Sequence, residues 1–332
     1  MHGGTVARKS GLRVKSGKLR NLDGKVRETL IKVSDGSIIT RFSKTPFPRK
    51  DTDVVCPHFL QLKWAAGCRF DCAWCYLRGT LRFFPEWLGN PHIKDFAKLE
   101  KHLVALATKY QGSTLLSSGE LSDSFVAEHL DPPFTKFVYD ILEEHDPQLH
   151  HKILLLTKSN NVKNLLTLDN TQRFIVSFSV NAHDVAKRWE KKAPSPKSRI
   201  AAAKRVHEKG YVTRLRIDPM VSVENWNEKY LSLIDDIFSK FVPDSITLGS
   251  LRGLQSTINA ATDKSWVKYL SESSNWGKKI PFDIRFTMYL TLIQYLKDNY
   301  NYRKVGLCKE TLGIWKALSM NFRRIRCNCV MA

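Results

Sequence analysis

The sequence lacks long apolar runs and is poor in acidic residues. No stretch approaches the ~18 consecutive apolar residues that a membrane-spanning helix requires, and the N-terminus has no apolar block like that of a secretory signal. The chain shows no internal repeat and no low-complexity tract apart from its basic start. We therefore expect a cytoplasmic protein with no membrane partner, found in the host cytoplasm if its source is a virus.

The scarcity of acids leaves a large positive charge. The chain has 53 lysines and arginines but 32 acidic residues, which gives a formal net charge of +21. A basic excess of this size attracts polyanions, because contacts with phosphates release counterions. DNA is therefore the expected partner, and a solvated basic surface on an ordinary enzyme is the alternative.

Short apolar runs alternate with longer amphipathic stretches from residue 58 onward. The chain has 332 residues and is 42% hydrophobic, enough to bury a full core. The runs predict six strands, at 58–65, 113–119, 152–159, 173–181, 212–220 and 245–253. Helices are expected between them at 96–111, 134–146, 198–210 and 228–241. This series predicts an α/β fold, a barrel or an open sheet of parallel strands, with its site at the carboxyl ends of the strands.

The regions on either side of this series differ in composition. Residues 1–27 are rich in Gly, Lys and Arg and predict a partly disordered arm. Asp35-Gly36 lies between two β-rich runs and predicts a hairpin. We divide the chain into a basic arm with this hairpin (1–50), the α/β series (51–253) and a C-terminal helical segment that carries three cysteines (254–332).

Three cysteines, Cys68, Cys72 and Cys75, follow the first strand of the series. Thiolates bind zinc or iron–sulfur clusters, and a structural zinc site takes four ligands. The nearest further cysteine, Cys56, precedes the strand. Three thiolates on a 4Fe–4S cluster leave one iron open to a substrate or cofactor. We therefore expect a 4Fe–4S cluster at this loop, with a zinc site or buried thiols as the alternatives.

The cysteine loop and the motifs behind it resemble a known family. "CRFDCAWCYL", "SDSFVAEHL", "LLTKSNNVKNLL", "FSVN" and "RIAAAKRVHEKGY" resemble the spore photoproduct lyase family of the radical S-adenosylmethionine (AdoMet) superfamily. The resemblance implies a partial (β/α)6 TIM-like barrel in which AdoMet binds the open iron and yields a 5′-deoxyadenosyl radical. It further implies action on thymine dimers in DNA, and an external electron donor such as flavodoxin or ferredoxin.

The same resemblance assigns residues to the site. Cys68, Cys72 and Cys75 match the ligands of the cluster. The expected cofactor-binding residues are Trp74, Tyr76, Glu120, Ser122, Lys158, Ser179 and Asn181. Tyr76 and Glu120 are also the expected catalytic residues.

Glu120 departs from the family pattern, because the repair enzymes have a hydrogen-donating cysteine at this position. A carboxylate has no weak S–H bond and cannot replace that thiol. We therefore expect a rearrangement, isomerisation or other modification of a thymine-type base, as in the hypermodification of viral DNA. The alternatives are spore photoproduct repair, modification of tRNA or protein, and a DNA-binding protein whose cluster is structural.

Three further cysteines crowd into the end of the chain and form a candidate second metal or redox site: Cys308, Cys327 and Cys329. They could hold an auxiliary iron–sulfur cluster, with Cys56 as a further ligand, or donate the hydrogen atom that Glu120 cannot. A further route returns the hydrogen from 5′-deoxyadenosine and suits an isomerisation, which needs no net electrons.

Aromatic residues follow the cysteine loop and are candidates for stacking on the substrate. A base inside a duplex cannot reach a radical at the edge of a sheet, so the target base must be flipped out or single-stranded. The candidates are Trp74, Tyr76, Phe83, Phe84 and Trp87. Packing in the core is the alternative for these rings.

Overall fold

One large sheet organises the protein, which a computed structural model describes over residues 11–331. In this range the sheet has ten strands, which lie side by side in their order along the chain. The strands are β1 (Val14–Arg20), β2 (Val26–Val33), β3 (Ile39–Phe42), β4 (Phe59–Leu62), β5 (Thr114–Ser117), β6 (His151–Thr157), β7 (Phe174–Val180), β8 (Val212–Met220), β9 (Ser245–Ser250) and β10 (Val305–Leu307).

Strands β4 to β10 are parallel to one another, whereas β1 to β4 pair antiparallel. The six predicted runs coincide with β4 to β9 to within a few residues, which confirms the predicted α/β fold with parallel strands. β10 is an additional parallel strand. Within the described residues the strand order runs from β1 to β10 without closing, so the partial barrel that the resemblance implies stays a prediction.

Helices connect the parallel strands. They are α1 (Leu77–Thr80), α2 (Phe96–Lys109), α3 (Phe134–His145), α4 (Lys163–Leu166), α5 (His183–Trp189), α6 (Pro196–Glu208), α7 (Trp226–Phe238), α8 (Gln255–Ala260), α9 (Phe282–Tyr300) and α10 (Leu312–Ala317). The four predicted helices correspond to α2, α3, α6 and α7. Among the helices of residues 11–331, none is both long and apolar enough to cross a bilayer.

Local sequence explains where these helices begin and which face they bury. The carboxylate of Asp95 caps α2 by accepting a hydrogen bond from the Ala97 backbone N–H at 2.9 Å. Leu99, Leu103 and Leu106, one turn apart along α2, are buried against the sheet. Apolar residues spaced three or four apart are the pattern from which the sequence predicted this helix.

Shorter elements complete the chain. Single-turn 3₁₀ helices span Pro85–Leu88, Thr171–Arg173, Val267–Tyr269 and Phe322–Arg324. Three short strands, Arg252–Gly253, Glu272–Ser274 and Gly277–Lys279, form a small separate sheet. Two-residue strands pair Val54–Val55 with Glu310–Thr311, and Ala65–Ala66 with His92–Ile93.

The N-terminal region is more ordered than its composition predicted. The predicted hairpin at Asp35-Gly36 is confirmed, since β2 and β3 pair antiparallel on either side of it. The disordered arm is wrong for Val14–Arg20, which forms β1 and pairs with β2. Pairing at the sheet edge supplies the backbone hydrogen bonds that composition does not reveal. The first ten residues of the arm lie outside the described range.

The C-terminal region, expected to be helical, also contributes β10 and a tail that crosses the sheet. A Cβ at Gly306 of β10 would lie 2.1 Å from the carbonyl oxygen of Arg326, so the tail packs directly on this strand. The Asn328 Nδ2 donates to the Ser177 hydroxyl of β7 at 2.6 Å, and Arg214 of β8 donates to the Asn328 carbonyl at 2.7 Å. The tail therefore runs over β7, β8 and β10.

Candidate active site

The three-cysteine loop is fixed against the end of β5. The Gly67 backbone N–H donates to the Leu121 carbonyl at 2.8 Å, just after β5. Gly67 has a φ of +100°, and a Cβ there would lie 1.9 Å from the Trp87 carbonyl oxygen, so the position requires glycine. Further along the loop, the Ala73 N–H donates to the Trp189 carbonyl at the end of α5, at 2.8 Å. The loop thus has a fixed path over the carboxyl ends of the strands.

The three thiols of this loop lie close to one another and are largely enclosed. Burial raises the pKa of Cys68 to about 12, and it raises the pKa of Cys72 and Cys75 as well. The positive charge of Lys158 acts to lower the pKa of all three thiols. Thiolates in such a place need further positive charge, which metal ions supply.

Lys158 ends β6 and joins several of the predicted residues. Its Nζ donates to the Ser179 hydroxyl at the end of β7, at 3.0 Å, and lies 3.6 Å from the Glu190 Oε1. Burial alone would lower the pKa of Lys158, but Glu190 and the neighbouring thiols outweigh it and raise the pKa. The cation is therefore held beside the cysteine loop.

Asp123 fixes the backbone of this lysine. Its buried carboxylate accepts hydrogen bonds from the Lys158 backbone N–H at 2.7 Å and from the Thr157 hydroxyl at 2.7 Å. It also accepts from the Phe125 N–H at 2.9 Å. Asp123 thus couples the segment after β5 to the end of β6.

The other predicted cofactor residues have different surroundings. Ser122 is buried, and its hydroxyl has no hydrogen-bond partner among the described residues. Asn181 is fully buried, and its amide donates to the Pro219 carbonyl at 2.8 Å while its oxygen accepts from Tyr230 at 2.9 Å. These contacts give Asn181 a structural role, and its part in binding the cofactor stays a prediction.

Trp74 and Tyr76 flank the third cysteine of the loop but lie in different environments. Trp74 is 8% exposed and packs on Trp189, with ring centroids 5.5 Å apart, so it belongs to the core. Tyr76 is 42% exposed. Enclosure by protein atoms and the charge of Glu120 raise the pKa of its phenol.

Glu120 follows β5 and lies near enough to Tyr76 for its charge to act on the pKa of that phenol. Its Oε1 accepts a hydrogen bond from the Ser117 hydroxyl at 3.3 Å. Its negative charge acts to raise the pKa of Cys56 and Cys329 as well as that of Tyr76. The predicted role of Glu120 as an AdoMet ligand stays a prediction.

Arg216, within β8, and Arg252, just after β9, surround a buried carboxylate and a thiol. Arg216 and Arg252 both hold Asp218, the latter through two hydrogen bonds of 2.7 and 2.9 Å. Burial alone would raise the pKa of Asp218, but the two guanidinium groups outweigh it and lower the pKa. Arg216 also donates to the Cys308 sulfur at 3.0 Å.

The tail brings the remaining cysteines to this region. A hydrogen bond with Cys327, together with burial, raises the pKa of the Cys329 thiol. Cys329 in turn acts to raise the pKa of Cys308 and of Cys56. These mutual effects place Cys56, Cys308, Cys327 and Cys329 in one region, and a second metal or redox site on them stays a prediction.

The donor set of the loop fits a 4Fe–4S cluster with AdoMet. Within residues 11–331, no three His, Cys, Asp or Glu side chains, the cysteines of the loop and of the tail included, converge closely enough to hold one metal ion. Cys68, Cys72 and Cys75 would instead each bind a separate iron. The unpartnered Ser122 hydroxyl is what a ligand-facing side chain leaves when no ligand is present.

Several residues of the site were not predicted from the sequence. Glu190 and Arg199 form a buried ion pair with nitrogen and oxygen 2.6 Å apart, and Asp123 fixes the Lys158 backbone. Glu190 lies outside the matched motifs, whereas Arg199 is the first residue of "RIAAAKRVHEKGY" and could have been found. Asp123 stood one residue from Ser122, within a matched motif, and could have been found.

The sheet and the three-cysteine loop after its first parallel strand define a protein of the radical AdoMet class. A family model described as spore photoproduct lyase matches residues 20–250. The chain therefore belongs to the spore photoproduct lyase family, which confirms the resemblance seen in the sequence.

Individual relatives agree with this assignment. The spore photoproduct lyase of Bacillus subtilis is 26% identical over 182 residues, 53% of this chain and 50% of the relative. That of Clostridium acetobutylicum is 24% identical over 174 residues, 52% of this chain and 50% of the relative. The match thus spans about half the length of these curated relatives.

Solved structures show the same fold. A spore photoproduct lyase complexed with dinucleoside spore photoproduct superposes with a TM-score of 0.62 at 17% identity, covering 75% of each chain. A mutant of such a lyase with bound AdoMet and the same dinucleoside gives a TM-score of 0.58 at 18% identity, covering 74% of each chain. At these identities the likeness concerns the fold alone.

Proposed function

We propose that this protein is a radical AdoMet enzyme that acts on a thymine-type base in DNA and rearranges or isomerises it. The observation that carries the proposal is the meeting of the three-cysteine loop with Lys158 and Ser179 at the ends of neighbouring strands, in a chain of this family. A structural cluster would need no such polar groups beside it. Hypermodification of viral DNA is the setting that we propose for the reaction.

Each residue of the site has a separate part in this proposal. Cys68, Cys72 and Cys75 hold the cluster, which with bound AdoMet supplies a 5′-deoxyadenosyl radical after reduction by a donor such as flavodoxin or ferredoxin. Lys158 offers its cation to a carboxylate, and the free hydroxyl of Ser122 offers a hydrogen bond. Enclosure of these groups excludes water from the reacting atoms.

Exposed aromatic rings after the loop support a nucleobase as the substrate. Phe83 and Phe84 are 74% and 46% exposed. The Phe84 ring stacks on Trp87 with centroids 4.4 Å apart, and the Arg82 guanidinium lies 4.4 Å from the centroid of the Phe83 ring. Aromatic and guanidinium planes of this kind stack on bases. Trp74, which is packed in the core, is not part of this surface.

Repair of spore photoproduct is the second candidate. The family assignment favours it, since relatives and solved structures of this family carry that name. Glu120 argues against it, because a carboxylate cannot donate a hydrogen atom as a thiol does. The tail thiols would have to replace that donor for repair to proceed.

Reductive cleavage of AdoMet tests the proposed chemistry. Anaerobically reconstituted protein, given AdoMet and dithionite, should form 5′-deoxyadenosine, and a variant with alanine at Cys68, Cys72 and Cys75 should form none. A protein that binds DNA and carries iron but forms no 5′-deoxyadenosine would be a DNA-binding protein with a structural cluster.

A further inference from the structure

A cleft lies between the β1–β2 hairpin and the C-terminal tail, and we call it the tail cleft. It has a volume of about 230 Å³. Its basic wall is formed by Arg20 and Arg27 from the hairpin and by Arg323 and Arg324 from the tail. The tail cleft is thus built from the hairpin, from residues between 45 and 58, and from the tail.

The charge of the tail cleft is largely uncompensated. Arg27 pairs with Asp23, with nitrogen and oxygen 2.5 Å apart. Within residues 11–331, no carboxylate forms an ion pair with Arg20, Arg323 or Arg324, and all three are exposed. Three guanidinium groups around one cleft, without a carboxylate partner among the described residues, favour a ligand that carries several negative charges, such as a phosphodiester chain.

An exposed aromatic ring lies among these arginines. Phe47 lines the tail cleft, is 39% exposed, and makes an edge contact with Phe322, with centroids 6.5 Å apart. A basic groove combined with aromatic side chains is the arrangement with which proteins bind single-stranded nucleic acid. A purely electrostatic patch for duplex DNA would not need the ring.

The tail cleft leads toward the candidate active site. Cys56 and Val330 line it. The Val330 carbonyl accepts a hydrogen bond from Arg214 of β8 at 2.9 Å, and Val330 follows Cys329 in the chain. The charges of Cys329 and Glu120 act on the pKa of Cys56. A strand bound in the cleft would therefore lie beside the tail segment that carries Cys329 and that is held to β8.

We propose that the tail cleft binds a single-stranded segment of DNA that flanks the target base. Arg20, Arg323 and Arg324 contact its phosphates, and Phe47 stacks on one of its bases. This inference rests on the proposed function, which makes DNA the substrate. It gives a reason why the tail and the β1–β2 hairpin come together at one place.

The test measures binding of a short fluorescein-labelled single-stranded DNA to the reconstituted full-length protein by anisotropy over a range of salt concentrations. The double variant Arg323→Gln/Arg324→Gln should bind more weakly. Its slope of log affinity against log salt should fall in magnitude by about 1.4, since each phosphate contact to a single strand contributes about 0.7. Phe47→Ala should lose roughly tenfold in affinity with an unchanged slope.

A matched control removes equal charge elsewhere. Arg205→Gln/Lys240→Gln, in a shallow recess beside α6, should keep the affinity and the slope of the unchanged protein. Equal losses in both double variants, or no loss in the cleft variant, would overturn the proposal. So would a cleft variant that loses affinity for duplex DNA alone and keeps its affinity for the single strand.

Formation of 5′-deoxyadenosine without DNA, measured in the same variants, separates this inference from the proposed function. Normal formation in every variant, with DNA binding lost in the cleft variants, supports both. If the cleft variants form 5′-deoxyadenosine normally and bind DNA as the unchanged protein does, the proposed role of the tail cleft is wrong. The proposed radical chemistry is then unaffected. If the unchanged protein forms no 5′-deoxyadenosine, the proposed radical chemistry is wrong. The anisotropy measurements still test whether the tail cleft binds DNA.

Discussion

Lys158 and Glu190 form an ion pair beside the three-cysteine loop, with Nζ and Oε1 3.6 Å apart. Glu190 also pairs with Arg199, so this carboxylate keeps a cationic partner if the lysine is removed. Lys158 is therefore a residue whose role in binding AdoMet can be tested without loss of the fold.

Lys158→Ala should weaken AdoMet binding by about 1.5–3 kcal/mol, the usual contribution of a hydrogen bond to a charged group. Isothermal titration of the reconstituted protein measures this, and the iron content should not change. The exposed Lys163→Ala serves as the control and should bind AdoMet normally. Equal affinity in the Lys158 variant would remove this lysine from the site.

Replacement of Cys68, Cys72 and Cys75 by alanine should remove one full 4Fe–4S cluster, because these thiols are its only proposed protein ligands. Iron and sulfide analysis with electron paramagnetic resonance measures the loss. Alanine at Cys308, Cys327 and Cys329 is the control for the first cluster. If the control variant loses as much iron as the loop variant, the tail carries an auxiliary cluster, and full iron content in the loop variant contradicts the assignment.

The charge of Glu120 acts on the Cys329 thiol, so we expect Cys329 to donate a hydrogen atom to the product radical. The thiyl radical left on Cys329 then takes one electron from the external donor and one proton from solvent, which restores the thiol. Thiol hydrogens exchange with solvent, and a reaction in D₂O should therefore introduce deuterium into the product nucleoside. Cys329→Ala should abolish the label, whereas Cys56→Ala should retain it. Unlabelled product from the unchanged protein would instead support return of the hydrogen from 5′-deoxyadenosine.

The buried carboxylate of Glu310, near the C-terminus, should make the free energy of unfolding decrease at low pH. Glu310 is fully buried, where it bonds Arg285 and lies 3.6 Å from the Lys279 Nζ. Burial alone would raise the pKa of Glu310, but Lys279 and Arg285 lower it from 4.5 to about 2. Because the pKa is depressed in the folded state, this stabilisation is complete above about pH 4.5 and is lost as the pH falls toward 2.

Urea unfolding above and within this pH range tests the Glu310 prediction. Glu310→Gln should destabilise the protein at neutral pH by about 3–5 kcal/mol, because it leaves buried cations unpaired, and should reduce the loss of stability in acid. The exposed Glu144→Gln should behave like the unchanged protein. An unaltered acid dependence in the Glu310 variant would show that other carboxylates determine it.

The sequence predicted those parts of the molecule that local pattern determines. Alternation of apolar runs and amphipathic stretches located β4 to β9 and four helices, and the cysteine spacing located the loop. Lys158 and Ser179, which end adjacent strands, were expected together because the carboxyl ends of parallel strands share one edge. Their hydrogen bond bears out that proximity.

Contacts between distant segments could not be predicted in this way. Asn328 and Ser177, which join the tail to β7, are 151 residues apart in the chain. β1 is ordered because it pairs with β2 at the edge of the sheet. The structural role of Asn181 depends on its hydrogen bonds with Pro219 and Tyr230. No periodicity or spacing in one sequence encodes such pairings.

Nucleoside analysis of treated DNA tests the central claim most directly. Thymine-rich DNA from hypermodified viral sources, and DNA carrying spore photoproduct, would each be incubated with reduced protein and AdoMet, digested, and analysed by liquid chromatography with mass spectrometry. The account predicts a thymine-type nucleoside of unchanged mass and altered retention in the viral DNA, absent when alanine replaces Cys68, Cys72 and Cys75. Conversion of spore photoproduct to thymidines, with the viral nucleosides unaltered, would contradict it.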